Sequence, residues 1–333
     1  MFVIHNPSDI LWYQNLLDVV YLTIAVIAAV YSRRRYRDGR PEYAVLMVAA
    51  FVYGLLLELW GMVVHHSYTQ GTFAVMLDWR WVPGFSDSTL MPLYVPFFYP
   101  VMLFLGYKLV EALGIESLWQ RAIVGGLIMS FLDAPYIIEG NLRHVVWWTW
   151  HQWDLYQLWL GWPLVDMWWQ MTWDALIFYL LLRLLPRLTR RASVGGAQAH
   201  ASVLIVAPVG IAVVVNLIGP FLHLPIVVAT YVGGRQWPVV VVLYVVYLAV
   251  AVRALRSARP LRVETVTAVC AGIYVVAFVA MVIGNDVHEG RVPFYAVVQV
   301  IGLVMIGVTL VFPAVVASRR TDAAASQRGL LTG

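Results

Sequence analysis

The chain has 333 residues, 62% of them hydrophobic and only 12% charged, with a formal net charge of +4. That balance excludes an ordinary soluble domain, in which about 25% of residues are charged. It also removes nucleic acid as the reading of the basic excess, because basic residues have a topological use in a membrane chain.

Apolar runs of spanning length predict nine transmembrane helices, at 10–32, 42–65, 91–113, 118–139, 163–185, 203–223, 238–255, 264–284 and 293–313. The expected fold is therefore an all-α polytopic bundle. No basic stretch precedes the first run and no small-residue cleavage site follows it, so it reads as a span and not as a removed signal. Arginines recur after the first span (33–40, RRRYRDGR), at Arg121, after the fifth (187–191), after the seventh (253–262) and at 319–320. Every second connection is thus basic, which predicts an outside N-terminus, a cytoplasmic C-terminus and a multi-pass place in the cell membrane. Cys270 is the sole cysteine, so no disulfide forms within the chain.

Residues 1–190 form a predicted five-span bundle that carries the chemistry. Segment 186–202 reads as a linker, 191–320 as a four-span apolar scaffold, and 321–333 as a disordered tail. In the second half, Asn216 and His223 are the main polar exceptions.

The acids singled out inside predicted spans are Glu58, Asp133, Asp166 and Asp174. Helical rise places Glu58 and Asp133 about 10 and 9 Å below the outer surface, Asp166 near it, and Asp174 about 16 Å down. Tyr94 and Tyr99 enter from the third span at similar depth. An ionised carboxylate in hydrocarbon costs at least a few kcal/mol, so such groups face the bundle interior, pair, or stay protonated. A neutral carboxyl beside an ionised one is a donor–acceptor set for proton chemistry. The competing reading is helix–helix adhesion through hydrogen bonds to Tyr, Trp or backbone. In that reading Asp133 answers the helix break at Pro135, and Asp166 caps the helix after Trp162-Pro163.

His65, His66, His144 and His151 raise a metal reading, but H-E-x-x-H and H-x-x-x-H spacings are missing and adjacent helical histidines diverge by about 100°. No metal is expected. Haem asks for mid-span histidines, and retinal for a mid-span lysine; Lys108, the sole lysine, lies near a cytoplasmic end. No Gly-rich fingerprint implies a nucleotide or organic cofactor, and no D-D-x-x-D run implies diphosphate ionisation.

Nine of the fifteen tryptophans lie in 144–174, HVVWWTWHQWDLYQLWLGWPLVDMWWQMTWD. An interfacial belt accounts for Trp79, Trp81, Trp159 and Trp237. It accounts less well for Trp148, Trp150, Trp169 and Trp173, or for Trp60 two residues beyond Glu58. Indole faces stabilise a desolvated cation by about 2 kcal/mol or more. Acids among such faces suit protonation of an alkene or epoxide and containment of the carbocation. Belt plus packing is the alternative.

One ordered set of residues carries a resemblance: Glu58…Tyr68, Pro92-Leu-Tyr-Val-Pro96, Asp133-Ala-Pro135, Trp148-Thr-Trp150, Tyr156…Gly161-Trp-Pro163 and Asp166…Trp169. It resembles the integral-membrane carotenoid hydratases of the bisanhydrobacterioruberin type, which add water to the terminal double bond of acyclic carotenoids. The likeness spans about residues 55–175, with Asp166 standing where those enzymes are expected to carry Asn. Small membrane-bound terpene cyclases are similar in chemical logic, without a residue-by-residue match. The resemblance implies Glu58 and Asp133 as an acid/base pair, with Trp148, Trp150, Tyr94 and Trp169 lining the cavity.

The expectation is a cofactor-independent, membrane-embedded enzyme that protonates a C=C bond or epoxide of a terpenoid or carotenoid and quenches the cation by cyclisation or hydration. Its candidate catalytic residues are Glu58, Asp133, Asp166 and Asp174. Its candidate substrate contacts are Trp60, His65, Tyr94, Tyr99, Trp148, Trp150, Trp169, Trp173 and Asn216. The expected partners are a lipid-soluble isoprenoid, membrane lipids, and an upstream prenyltransferase or epoxidase. A proton-coupled transporter of a lipid or small molecule is the alternative.

Overall fold

The computed structural model describes residues 2–83, 85, 90–142, 147–151, 154–289 and 293–331, with backbone alone at 286–289, 293–294, 314 and 317–331. Ten helices dominate them. In order these are α1 (Trp12–Arg37), α2 (Glu42–Leu59, continued by a π-helical turn, Trp60–Val64), α3 (Val95–Ala112), α4 (Leu118–Gly140) and α5 (Leu164–Val194). Then come α6 (Ala197–Ala201), which passes through a second π turn at Ser202–Val206 into α7 (Ala207–Tyr231), α8 (Trp237–Ser257), α9 (Thr265–Glu289) and α10 (Pro293–Leu331).

Among the described residues, eight helical runs are long and apolar enough to cross a membrane. The chain is an all-helical, multi-pass membrane protein on that ground. Helix α5, expected as a ninth span, is not among the eight. It carries Asp166, Gln170, Asp174 and Arg183 along one 31-residue helix, which lowers its mean hydropathy.

Burial grades the helices. In α3 and α4, 89% of the spanning window is buried inside the protein, against 28% in α7, 22% in α8 and 28% in α10. The acid-bearing α4 is therefore central, and the Val/Leu-rich second half supplies the outer faces. Helix α7 packs on α2 and α5, α8 on α4, α9 on α1, and α10 on α4.

The most extensive helix pair is α4 against α5, and small residues make it close. A Cβ on Gly126 would lie 2.2 Å from the Met171 carbonyl oxygen, and one on Gly125 would lie 2.3 Å from the Phe178 ring. At Pro135, α4 loses one ladder bond. Gly302 of α10 fits against the Phe131 carbonyl there, and the Tyr274 hydroxyl donates to the Leu132 carbonyl.

The predicted linker at 186–202 is mostly helical. Helix α5 runs through Pro186 to Val194, because its Leu- and Arg-rich sequence favours helix. The turn is confined to Gly195 and Gly196, at φ 72° and 88°, conformations glycine adopts without steric cost. Helix α10 continues to Leu331, past residue 321 where an irregular tail is expected; Ala323–Ala325 favour helix.

Seven short strands lie in the connections at one end of the bundle. Residues 2–4 (β1), 75–78 (β3) and 90–92 (β4) form one antiparallel sheet in the order β1-β3-β4. Tyr68–Gln70 (β2) pairs with Trp148–Trp150 (β5), and Leu158–Trp159 (β6) with Trp162–Pro163 (β7). In this cap, two hydrogen bonds from Arg80 hold the Asp78 carboxyl at about 2.

The opposite end is tied by charge. Lys108, 2% exposed, donates to Glu111 Oε2 (2.6 Å) and to the hydroxyls of Tyr31 (3.2 Å) and Tyr43 (3.3 Å), and pairs with Glu264 Oε1 at 3.1 Å. Arg40 bridges Glu42 and Glu111, at 2.8 and 2.9 Å. This network joins α1, α2 and α3 to the segment entering α9. Partial burial opposes ionisation of Glu264, but hydrogen bonds from Tyr31 and Arg35, with the Lys108 charge, outweigh it and hold the carboxyl at about 2.

Two outcomes are expected. Gly126→Leu, which overpacks the α4–α5 contact, lowers stability by about 1–3 kcal/mol, read as a drop in the detergent melting temperature. The lowered Glu264 pKa contributes stability that is fully present above the carboxyl's ordinary value of 4.5 and is lost as pH falls through about 2. The melting-temperature gap between wild type and Glu264→Gln therefore stays constant at neutral pH and shrinks as the solution is acidified toward that value.

Candidate functional site

Three interior carboxyls, those of Glu58, Asp133 and Asp166, meet at the capped end. Glu58 sits on the last turn of α2, immediately before the π turn. Strand β2 folds back past it, and Tyr68 and Gln70, two apart, point to one face of that strand. Both donate to Glu58 Oε2, Tyr68 from 2.7 Å and Gln70 from 3.1 Å. From α3, the Tyr99 hydroxyl donates to Oε1 at 2.7 Å. Its ring reaches this position because residue 54 is glycine: a Cβ there would lie 2.0 Å from Tyr99 Cδ2. Glu58 is thus an acceptor on both oxygens, with no cation beside it. Burial, then the neighbouring Glu58 carboxyl, pushes the Tyr68 hydroxyl well above its ordinary value, so it remains a donor.

Asp133 of α4 and Asp166 in the first turn of α5 are in side-chain hydrogen-bond contact. A hydrogen bond between two carboxyls requires a proton on one of them. Asp166 also accepts from the Trp162 indole N–H (3.2 Å) and from Gln170. Trp162 is a donor to Asp133 as well. Asp166 does not cap α5: Pro163 holds the N-cap position, and no side-chain cap bond is made. Asp133 does not answer the Pro135 break either, since Gly302 and Tyr274 occupy that side of α4.

A cavity of about 310 Å³ connects these groups. Register builds one wall: β2 pairs with β5 so that Tyr68 faces Trp150 and Gln70 faces Trp148. Trp148 and Trp150 therefore join Tyr68 and Gln70 on one face. Asn141, just past α4, fixes both indoles, its Oδ1 accepting from Trp148 Nε1 (2.8 Å) and Trp150 Nε1 (2.7 Å). Its amide donates to the Gly161 carbonyl at 3.1 Å. Tyr156 stacks on Trp150 at 4.0 Å between centroids. Trp169 and Trp173, one turn apart on α5, form the facing wall. Trp169 donates to the Tyr53 hydroxyl and Trp173 to His223 Nδ1, each at 2.8 Å. Gly219 of α7 makes room for the Trp173 ring, which a Cβ there would meet at 2.3 Å.

Of the residues predicted from sequence, Glu58, Asp133, Asp166, Trp60, His65, Tyr99, Trp148, Trp150, Trp169 and Trp173 line this cavity. Three predicted residues do not. Asp174 is buried two turns beyond Asp166, within electrostatic reach of it and of Tyr53. The Tyr94 hydroxyl bonds that of Tyr136 at 2.9 Å, and its ring lies among Tyr21, Phe73 and Tyr136 behind the wall. The Asn216 amide turns to the Ala212 carbonyl of its own helix, 2.9 Å away. Tyr68, Gln70, Phe98, Tyr136, Tyr156, Gln170 and His223 also line it, and Gly61 and Pro220 lie among the remaining, smaller or apolar lining residues. The alternation in Y-T-Q and W-T-W marks two half-buried strands, but nothing in either tripeptide identifies its partner.

Among the described residues, the lining contains three carboxyls and two histidines and no lysine or arginine. An anionic head, a diphosphate above all, has no counter-charge here. No group of three or more His, Cys, Asp or Glu side chains gathers as metal ligands among the described residues. His65 sits at the mouth of the cavity, in ring contact with Trp60, and His144 lies outside the described residues. The chamber can give a proton from Asp133, take one at Glu58, and surround an electron-poor centre with aromatic faces.

Comparison of the chain with protein-family models, with curated proteins and with solved structures returns no match.

Asn141→Leu leaves two buried indole N–H groups without acceptors. A stability loss of about 1–3 kcal/mol for each is expected, with a changed near-ultraviolet circular dichroism band as Trp148 and Trp150 lose their fixed orientation. An unaltered spectrum and melting curve would remove Asn141 from its organising role.

Proposed function

We propose that this protein is a membrane-embedded, acid–base isoprenoid cyclase or hydratase. The observation that carries the reading is the meeting of Asp133, Asp166 and Glu58 on the wall of one indole-lined cavity. Asp133 adds its proton to one carbon of a terminal C=C bond or to an epoxide oxygen. The π pair forms the new C–H bond in the first case, and the C–O bond breaks in the second. The cation develops among Trp148, Trp150, Tyr136 and Trp169, whose faces each contribute about 2 kcal/mol when desolvated. Glu58 then takes a proton, either from the carbon beside the cation after ring closure or from a water that has added to it. The proton lost from Asp133 equals the one gained at Glu58, and its return restores the starting state. The likeness to carotenoid hydratases in 55–175 supports the same acid/base pair. We read α5 as a ninth span, which with the alternating arginines gives an outside N-terminus, a cytoplasmic C-terminus and a cell-membrane location. An upstream prenyltransferase or epoxidase would supply the substrate.

A second reading has one observation in its favour. Asp166, Gln170 and Asp174 stand one turn apart on one face of α5, and Asp174 Oδ2 has no hydrogen-bond partner among the described residues. A buried acid column of this kind suits proton-coupled transport. Uptake into liposomes driven by a pH gradient, abolished by Asp174→Asn, would favour that reading.

The enzyme reading predicts that purified protein converts acyclic polyenes or their terminal epoxides in detergent, and that Asp133→Asn and Glu58→Gln each lower kcat by about 10²–10⁴-fold. Turnover unaffected by either change removes the acid/base assignment. A second expectation needs no knowledge of the natural substrate. A tertiary ammonium placed at the end of a prenyl chain mimics the cation, and should quench tryptophan fluorescence at a concentration at least about 100-fold below that of its neutral hydrocarbon isostere. Equal affinities would show that the chamber does not favour positive charge.

A further inference from the structure

The cavity is small. At about 310 Å³ it lies at the lower end of small-molecule sites, roughly 300–1,000 Å³. It is also closed on most sides. Phe98, Tyr99, Asp133, Tyr136 and Asp166 on α3, α4 and α5 are all buried, and β2 and β5 cover the capped end. The exposed residues of the lining are Trp60 (53%), His65 and Pro220, on the end of α2 and on α7. Both helices carry apolar stripes away from this mouth: Leu56, Trp60 and Val64 at four-residue spacing, and Leu217, Phe221 and Leu224 at helical spacing. Gly61 holds the mouth open, since a Cβ there would come within 3.1 Å of the Tyr68 ring. Pro220 and Pro225 leave two α7 carbonyls, those of Asn216 and Phe221, without their helical N–H donors. The cavity therefore opens sideways, onto surfaces that hydrocarbon chains would cover.

We infer that the ligand is a long linear isoprenoid taken end-on through the gap between α2 and α7, with its terminal units in the chamber and the rest of the chain against the outer faces of those helices. This rests on the isoprenoid reading above and narrows its substrate class. A chain held this way reacts at its hydrocarbon terminus, and any polar or charged head stays outside, in agreement with a lining that has no counter-charge for one.

The test is photolabelling of the full chain in lipid nanodiscs by two probes built on one linear twenty-carbon polyprenol, one with a diazirine at the hydrocarbon terminus and one with it at mid-chain. Labelled peptides are mapped by mass spectrometry, with unmodified polyprenol as competitor. With label sites assigned to single residues, the terminal probe should label Asp133 or Trp148–Trp150, and the mid-chain probe the outward Leu56, Val64, Leu217, Phe221 or Leu224. Gly61→Trp and Pro220→Trp, each checked for folding by its melting curve, should reduce terminal labelling at least ten-fold. Mid-chain label inside the chamber, terminal label outside it, or no competitor-sensitive label overturns the inference. The two levels separate cleanly. Correct labelling with turnover indifferent to Asp133→Asn leaves end-on binding standing and removes the catalytic reading. Catalysis sensitive to Asp133 with the wrong labelling pattern does the reverse.

Discussion

The contact between two carboxyls inside an apolar bundle is the interaction on which the site depends. Neither Asp133 nor Asp166 has a lysine or arginine beside it at the cavity, so mutual hydrogen bonding together with the Trp162 and Gln170 donors is what makes their burial tolerable. That contact demands that α4 and α5 lie close. Gly125 and Gly126 permit it by letting the Phe178 ring and the Met171 carbonyl approach α4 directly. Dense packing of two helices and the chemistry at their outer ends are one requirement seen at two depths.

The third carboxyl is treated differently. Glu58 is met by two phenols and an amide, from β2 and from α3. The result is asymmetric: two carboxyls that meet each other, and one that is met only by donors. Separated environments for chemically similar groups are how a single site runs acid and base steps together. The opposite end of the bundle shows the contrast. There Lys108, Arg35 and Arg40 neutralise Glu42, Glu111 and Glu264, and the ion-paired network ties helices together.

The cap explains the density of tryptophan in 144–174. An interfacial belt would set indoles along helix ends facing the headgroups, whereas even the half-exposed Trp159 lies in a strand, β6. Trp148 and Trp150 instead leave the helical part of the chain, enter a strand, and turn inward because β2 is their partner. Asn141 then uses one oxygen to hold both. The wall is rigid because each indole N–H has a named acceptor: Asn141 for two, Tyr53 for Trp169 and His223 for Trp173.

Composition and apolar run length determined the membrane class, the helical architecture and the presence of acids at spanning depth, because these follow from hydrophobic free energy summed along a local segment. The same local signals misjudged 186–202, where leucine and arginine continue α5 and two glycines suffice for the turn. They also could not rank the acids or aromatics. Asp174 and Asp166 look alike in sequence, and so do Tyr94 and Tyr99, yet one of each pair lines the cavity and the other does not. Which of two such residues reaches a common space depends on helix rotation, on strand register and on small residues in distant segments, as Gly54 decides for Tyr99 and Gly219 for Trp173. Those are pairwise contacts between elements far apart in the chain, and a one-dimensional pattern of polarity does not encode them.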